Sequence, residues 1–193
     1  MRTDNLYALP ANLPVPKDDG ACDHLRGLTL PSIGLKATSG ATIDLSREGR
    51  PWLVVYCYPR TGRPDQAQLG APGEWEAIPG ARGCTPQSCA FRDHYAELSA
   101  LGATVYGLST QDTAYQMEAA QRLHLPFPLL SDERLELARA LRLPTFAFAG
   151  LQLIKRLSFI ARAGRIEQVF YPVFPSNSDA GLVIEWLRSR GVK

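Results

Sequence analysis

Trp52-Leu53-Val54-Val55-Tyr56-Cys57 is an unbroken run of apolar and β-branched residues, long enough for one strand and too short for most helices. A strand with no polar alternation must bury both of its faces, so it belongs in the middle of a sheet with layers above and below. Downstream, Phe91, Tyr95, Leu98 and Leu101 recur at helical spacing, and Ala103 to Ser109 forms a second strand-like run. Strand, helix and strand in that order make a βαβ crossover with the two strands parallel. Cys57 belongs to the core of the first strand and is expected to be inert.

The rest of the chain fills in around this unit. Leu28 to Leu35 and Ala41 to Leu45 read as an opening hairpin turning at Ser39-Gly40. A helix is expected from about Thr113 to Leu123, ended near His124. Ser131-Asp132 reads as the cap of a helical segment carrying Leu135, Leu137, Ala138 and Leu141, stopped by Pro144. Phe146 to Phe148 is a short strand. Residues 156–161 and 166–170 alternate around Ala163-Gly164 as an antiparallel hairpin. A last helix runs from about Asp179 to Arg190, capped near Ser178, with Leu182, Val183, Trp186 and Leu187 inward and Gly191 as its stop. The expected class is α/β, a mixed central sheet flanked by helices.

With 193 residues and 45% hydrophobic content, the chain suits one domain with a proper core. Residues 1–26 read as an extended arm: Pro10, Pro14 and Pro16 exclude a regular helix, and Lys17-Asp18-Asp19-Gly20 is a turn. The domain is expected over 27–193, with a Gly- and Pro-rich inserted loop at about 62–80. A net charge of +2 argues against nucleic-acid and membrane partners. No apolar run approaches the ~18–20 residues of a membrane span, and the first residues lack the pattern of a signal peptide. Four cysteines in a chain of this length fit reduced thiols with one redox pair, hence a cytoplasmic setting, better than a disulfide scaffold.

The chemistry concentrates in Arg82-Gly83-Cys84-Thr85-Pro86-Gln87-Ser88-Cys89-Ala90-Phe91-Arg92-Asp93. Pro86 suits a first helical turn, where its missing N–H would have no partner. Cys84 therefore stands at a helix N-terminus, whose free N–H groups and macrodipole favour negative charge. Arg82 and Arg92 are close enough in sequence to add to that field. Such surroundings favour thiolate over thiol, which makes Cys84 the candidate nucleophile. On an intact helix, residues five apart have Cα atoms roughly 8–9 Å apart, whereas a disulfide needs them within about 7 Å. Bonding of Cys84 to Cys89 would require the first turn to unwind. The plainer reading, two small buried residues on a helix, stays open here. A metal site is disfavoured, since no second ligand pair has zinc-like spacing.

The segment Gly83 to Asp93 resembles the active-site segment of peroxiredoxins, particularly the bacterioferritin-comigratory-protein, or Q-type, branch. The similarity extends to Val54-Val55-Tyr56-Cys57-Tyr58-Pro59, to Leu125-Pro126-Phe127-Pro128-Leu129-Leu130-Ser131-Asp132 and to Arg156-Leu157-Ser158-Phe159-Ile160. It implies a thioredoxin-like fold and a thiol-dependent peroxidase acting on hydrogen peroxide or organic hydroperoxides. It also implies Cys84 as peroxidatic cysteine, Cys89 as resolving cysteine of an intramolecular disulfide, and Arg156 as the arginine set against the sulfur. A thioredoxin-like reductant, a monomer or homodimer, and chemistry without metal, flavin or haem follow from the same resemblance. Lys155 is expected on the opposite face of the strand from Arg156.

One departure stands out. Peroxiredoxins usually carry Pro-x-x-x-Thr/Ser-x-x-Cys, but Pro59 lies 25 positions before Cys84 and Ala81 occupies the hydroxyl position. Thr61 could take the hydroxyl's place if residues 62–80 form an excursion. Glu74-Trp75-Glu76 within that excursion reads as a lid, a partner surface or the packed tip of a long loop. Cys22 is the candidate for an additional thiol, and Cys22-Asp23-His24 is more plainly read as ordinary arm sequence. Two other functions fit the same residues. A thiol–disulfide oxidoreductase would more usually carry Cys-x-x-Cys, and a non-enzymatic redoxin-fold module would accommodate the missing hydroxyl.

Overall fold

The structure, a computed structural model, describes residues 4–48 and 51–191. Residues 1–3 of the expected arm and 192–193 at the chain's end lie outside the described residues. One sheet of seven strands organises the fold. Its strands are β1 (Gly34–Ala37), β2 (Thr42–Asp44), β3 (Trp52–Cys57), β4 (Ala103–Ser109), β5 (Leu129–Ser131), β8 (Leu157–Arg162) and β9 (Arg165–Phe170), in the order β2-β1-β5-β4-β3-β8-β9. β3 runs parallel to β4, from Trp52 opposite Ala103 to Cys57 opposite Leu108, and antiparallel to β8. The sheet is mixed, with the unbroken apolar strand at its centre.

β3 is buried along its whole length because both faces are covered. Leu53, Val55 and Cys57 face a cluster with the arm residues Cys22 and Leu25 and with Leu137, Ala138 and Leu141 of α5 (Glu136–Leu141). Trp52, Val54 and Tyr56 face the other layer, built from Phe91, Leu98, Ala119, Val183 and Leu187. Those residues lie on α2 (Cys84–Asp93), α3 (Tyr95–Ala100), α4 (Thr113–Arg122) and α6 (Asp179–Ser189). Each fully buried Leu, Val or Phe is worth about 1.5–3 kcal/mol over an exposed one, so this two-sided burial is the main stabilising term.

Several local expectations need correction. The opening hairpin starts at Gly34, not Leu28; Pro31 has no N–H to give a ladder, and only Thr29 makes an isolated bridge, to Arg165. The helix after Cys84 is broken at His94 (φ −97°, ψ 6°), although Phe91 and Leu98 still reach the same cluster. Asp132 does cap a helix, accepting from the N–H groups of Leu137 and Ala138, but Leu135 precedes that helix at φ 58°. In α6 the inward residues are Ala180, Val183, Ile184 and Leu187, which share one face at helical period. Leu182 lies off that face and is exposed, and Trp186 is half-buried, edge-on to Trp52. Ser178 makes no side-chain cap and donates instead to the Pro175 carbonyl. The β8–β9 hairpin turns at Ala163-Gly164 as expected, both at positive φ.

The expected short strand at Phe146 to Phe148 is present as β6 (Thr145–Phe148), but it pairs with an unexpected strand, β7 (Leu151–Ile154), in a second, two-stranded sheet. It packs against the inserted segment, which forms a short helix, α1 (Glu74–Ala77). Trp75 of α1 is buried against Phe146, Phe148, Leu153 and Ala81. Of the three readings of Glu74-Trp75-Glu76, the contacts match the packed tip of a long loop.

Candidate active site

Cys84 is the first residue of α2 and is buried. Gly83 precedes it at φ 109°, a left-handed conformation that favours glycine. A Cβ at Gly83 would also strike the Ser176 side chain and come within 2.7 Å of Leu9 in the arm. The loop can enter the helix here only because residue 83 has no side chain. The Cys84 thiol donates to the Ala81 carbonyl at 3.6 Å.

Arg156 is 3% exposed and lies one residue before β8, between β7 and β8, not at the first position of a strand. Its Nη2 is 3.2 Å from the Cys84 sulfur. The same nitrogen donates to the carbonyls of Ala81 at 3.1 Å and Arg82 at 3.2 Å, and Nε donates to the Gly80 carbonyl at 3.2 Å. Nη1 donates to Oε1 of Gln87, one helical turn after Cys84. The guanidinium is thus held rigidly by neutral acceptors with one edge turned to the sulfur. Lys155 does not follow the expected alternation, since neither it nor Arg156 is in a strand and both line one cavity; the Lys155 ammonium bonds Asp19 of the arm at 2.8 Å and Tyr171 at 3.3 Å.

The other candidates fall in different places. Arg82 turns away from the sulfur: its guanidinium pairs with Asp4, with Glu76 of α1 at 3.6 Å and with the Asn5 carbonyl at 2.7 Å. Arg82 therefore ties arm and insertion together instead of adding charge at Cys84. Arg92 bonds Asp93 and the Leu123 carbonyl. Cys89 is half-buried on the intact part of α2, and burial pushes its thiol up, with Arg92 opposing. Thr61 is buried, but its hydroxyl donates to Oε1 of Gln111 at 3.1 Å, and neither Cys84 nor Arg156 is among its hydrogen-bond partners. Ala81 is fully buried, its methyl against the Trp75 cluster and its carbonyl on Arg156 and Cys84. Cys22 is buried beside three aspartates, and its thiol is pushed up to about 12, first by burial. Burial also pushes Cys57 up. His124 sits exposed just past α4 at φ 51°, as a helix-ending residue does.

The Redoxin family model matches residues 25–184. The chain belongs to the redoxin family. Within it, the relatives it matches by sequence are peroxiredoxins Q. It is 29% identical to the chloroplastic peroxiredoxin Q of Oryza sativa subsp. japonica over 186 residues, covering 93% of this chain and 76% of that one. Against the chloroplastic peroxiredoxin Q of Populus jackii it is 35% identical over 127 residues, 65% of this chain and 51% of that one. The crystal structure of peroxidoxin BcpB from Mycobacterium tuberculosis superimposes with a TM-score of 0.69 at 23% identity, over 85% of this chain and 96% of that one. The fold is thioredoxin-like.

This redoxin carries a cavity of about 250 Å³ that reaches Arg156 but is not lined by Cys84. Arg156, Pro59 and Phe146 line it together with Pro16 of the arm and Ile78 and Pro79 of the insertion. Thr61 opens onto a separate recess of about 150 Å³ with Arg60, Trp75 and Tyr115. Three polar residues went unnoticed in the sequence: Gln87, Ser158 and Asp179, all completely buried behind Arg156. Gln87 carried a signal, since position i+3 on a helix shares the face of Cys84. Ser158 and Asp179 carried none, because folding alone brings them together.

Proposed function

We propose that this redoxin is a thiol-dependent peroxidase in which Cys84 attacks a hydroperoxide. The observation that carries this reading is the 3.2 Å contact from Arg156 Nη2 to the Cys84 sulfur. A fixed guanidinium stabilises the thiolate and the charge that develops on the leaving oxygen, and it is already oriented before reaction. The thiolate attacks the terminal oxygen, the S–O bond forms as the O–O bond breaks, and the alkoxide or hydroxide leaves with a proton. Sulfur is oxidised to sulfenic acid and the peroxide is reduced to alcohol or water.

Cys89 then completes the cycle in this proposal. The first turns of α2 unwind, the Cys89 sulfur displaces water from the sulfenic acid, and a Cys84–Cys89 disulfide forms. A thioredoxin-like dithiol reduces it by exchange. Cytoplasmic location belongs to the same proposal, resting on the cysteine count, as does action as a monomer or homodimer.

One observation favours a second reading. With Ala81 in the usual hydroxyl position and Thr61 bonded to Gln111, the site lacks the hydroxyl that its family usually sets against peroxide. A thiol–disulfide exchange activity or a non-enzymatic role needs no such hydroxyl. Peroxide consumption with thioredoxin and its reductase decides between them. Turnover that vanishes in Cys84→Ser supports the peroxidase; no consumption, with disulfide exchange intact, supports the alternative.

A further inference from the structure

Behind Arg156 a line of buried polar groups runs to the first residue of α6. Gln87 Nε2 donates to Asp179 Oδ2 at 2.6 Å, while Gln87 Oε1 accepts from Arg156. Ser158 Oγ donates to the same Asp179 oxygen at 2.6 Å. The other carboxylate oxygen, Oδ1, is buried with no partner among the described residues. A carboxylate left half-satisfied in the core is a costly way to hold two helices together. Its position at the end of a chain of bonds leading to the reactive sulfur gives it another use.

We propose that Asp179 is a positioning residue for Arg156 at Cys84, acting by fixing which way round the Gln87 amide sits. An ionised carboxylate only accepts, so the Gln87 NH₂ must face it and the Gln87 carbonyl must face the guanidinium. Protonated, Asp179 gains a donor. The amide is then free to reverse, which would place NH₂ against the guanidinium and weaken its hold. Asp179 is also the carboxylate one amide removed from a guanidinium whose partners, among the described residues, are neutral acceptors and the thiol.

The groups around Asp179 set where it changes state. Arg156, ahead of β8, and the Ser158 and Gln87 donors favour the carboxylate, but complete burial outweighs them and pushes it up to about 6. From β3, Tyr56 lies in the same layer, while Cys57 points to the opposite face of the sheet and interacts with it only at a distance; α2 presents uncharged Gln87 with Cys84 one turn earlier. The switch between locked and free amide thus falls within reach of working pH.

The inference rests on Cys84 being the reacting thiol, so its test reads that thiol with and without peroxide. Iodoacetamide alkylation of the Cys84 peptide, followed by mass spectrometry from pH 5 to 8, is compared with the rate of hydrogen peroxide oxidation. In both, Asp179→Asn should match wild type at pH 5 and fall about tenfold behind it at pH 8, the scale of one hydrogen bond to a charged group. A ratio that does not change with pH overturns the proposal, because a purely structural defect would lower both ends alike. Ser158→Ala, which removes one donor to the carboxylate, should move the turnover of that ratio to higher pH; an unmoved turnover also counts against it. Slow peroxide oxidation of the wild type, with the alkylation pattern intact, would fail the peroxidase reading and leave this inference standing.

Discussion

Arg156 reaches the Cys84 sulfur from 72 residues away in the sequence, and its Nη2 also bonds the carbonyls of Ala81 and Arg82 in the loop that leads to that cysteine. One guanidinium therefore both shapes the loop and charges the site. Arg156→Ala should slow oxidation of Cys84 by hydrogen peroxide by about 10²–10³-fold, the usual effect of deleting a preorganised donor. Arg156→Lys should recover little of this, since a point charge cannot make five bonds in a planar fork. Stopped-flow oxidation rates of the two variants test both statements.

Gly83 is the second place where the site depends on one residue. Its φ of 109° and the close approach of Leu9 leave no room for a side chain. Gly83→Ala should destabilise the protein by about 2 kcal/mol, within the range for forcing a non-glycine residue into this conformation. Urea unfolding measures it, and an unchanged midpoint would show that the loop relaxes freely.

Asp179 should also mark the pH dependence of stability. Its folded-state pKa is raised from 3.8 to about 6, so the folded protein holds this proton more tightly than the unfolded chain. The contribution is most favourable below about pH 4, is lost as pH rises to about 6, and is flat above that. The loss is about 3 kcal/mol. Between pH 4 and 7, unfolding free energies of wild type should drop relative to Asp179→Asn by that order. A constant difference between the two would contradict the burial argument.

The arm has its own electrostatic anchor in Asp19. Hydrogen bonds from Lys155 and Tyr171 hold its carboxyl down at about 2. Lowered in the folded state, it contributes stability that is present above about pH 4 and lost as pH falls toward 2. At pH 7, Asp19→Asn should speed amide exchange in residues 18–25 and leave β3 and β4 unchanged. Equal exchange in the two proteins would mean that the buried Leu6, Cys22 and Leu25 and the Arg82 contacts to Asp4 and Asn5 hold the arm without Asp19.

The sequence made the sheet's centre legible because β3 is apolar on both faces and β4 follows one crossover later. The turn at Ala163-Gly164 was legible from its local chemistry. β7 was not, since Leu151-Gln152-Leu153-Ile154 is short and its partner surface is Trp75, far back in the chain. Cys84 and Arg156 could be named from their motifs, and the contact between them could not be measured that way. Arg82 looked like part of the site by proximity in sequence, but Asp4 and Glu76 draw its side chain elsewhere. The Gln87–Asp179–Ser158 line was invisible because its three members lie on α2, α6 and β8.

The proposed cycle requires that Cys84 is oxidised first and that Cys89 captures it. Reduced protein mixed with one equivalent of hydrogen peroxide in a stopped-flow instrument, then quenched for mass spectrometry of the cysteine peptides, tests it most directly. Fast loss of two thiols with a Cys84–Cys89 linkage is expected, and, in Cys89→Ser, sulfenic acid at Cys84 after one turnover. Oxidation at the rate of a free thiol, or a linkage that omits Cys84, would contradict it.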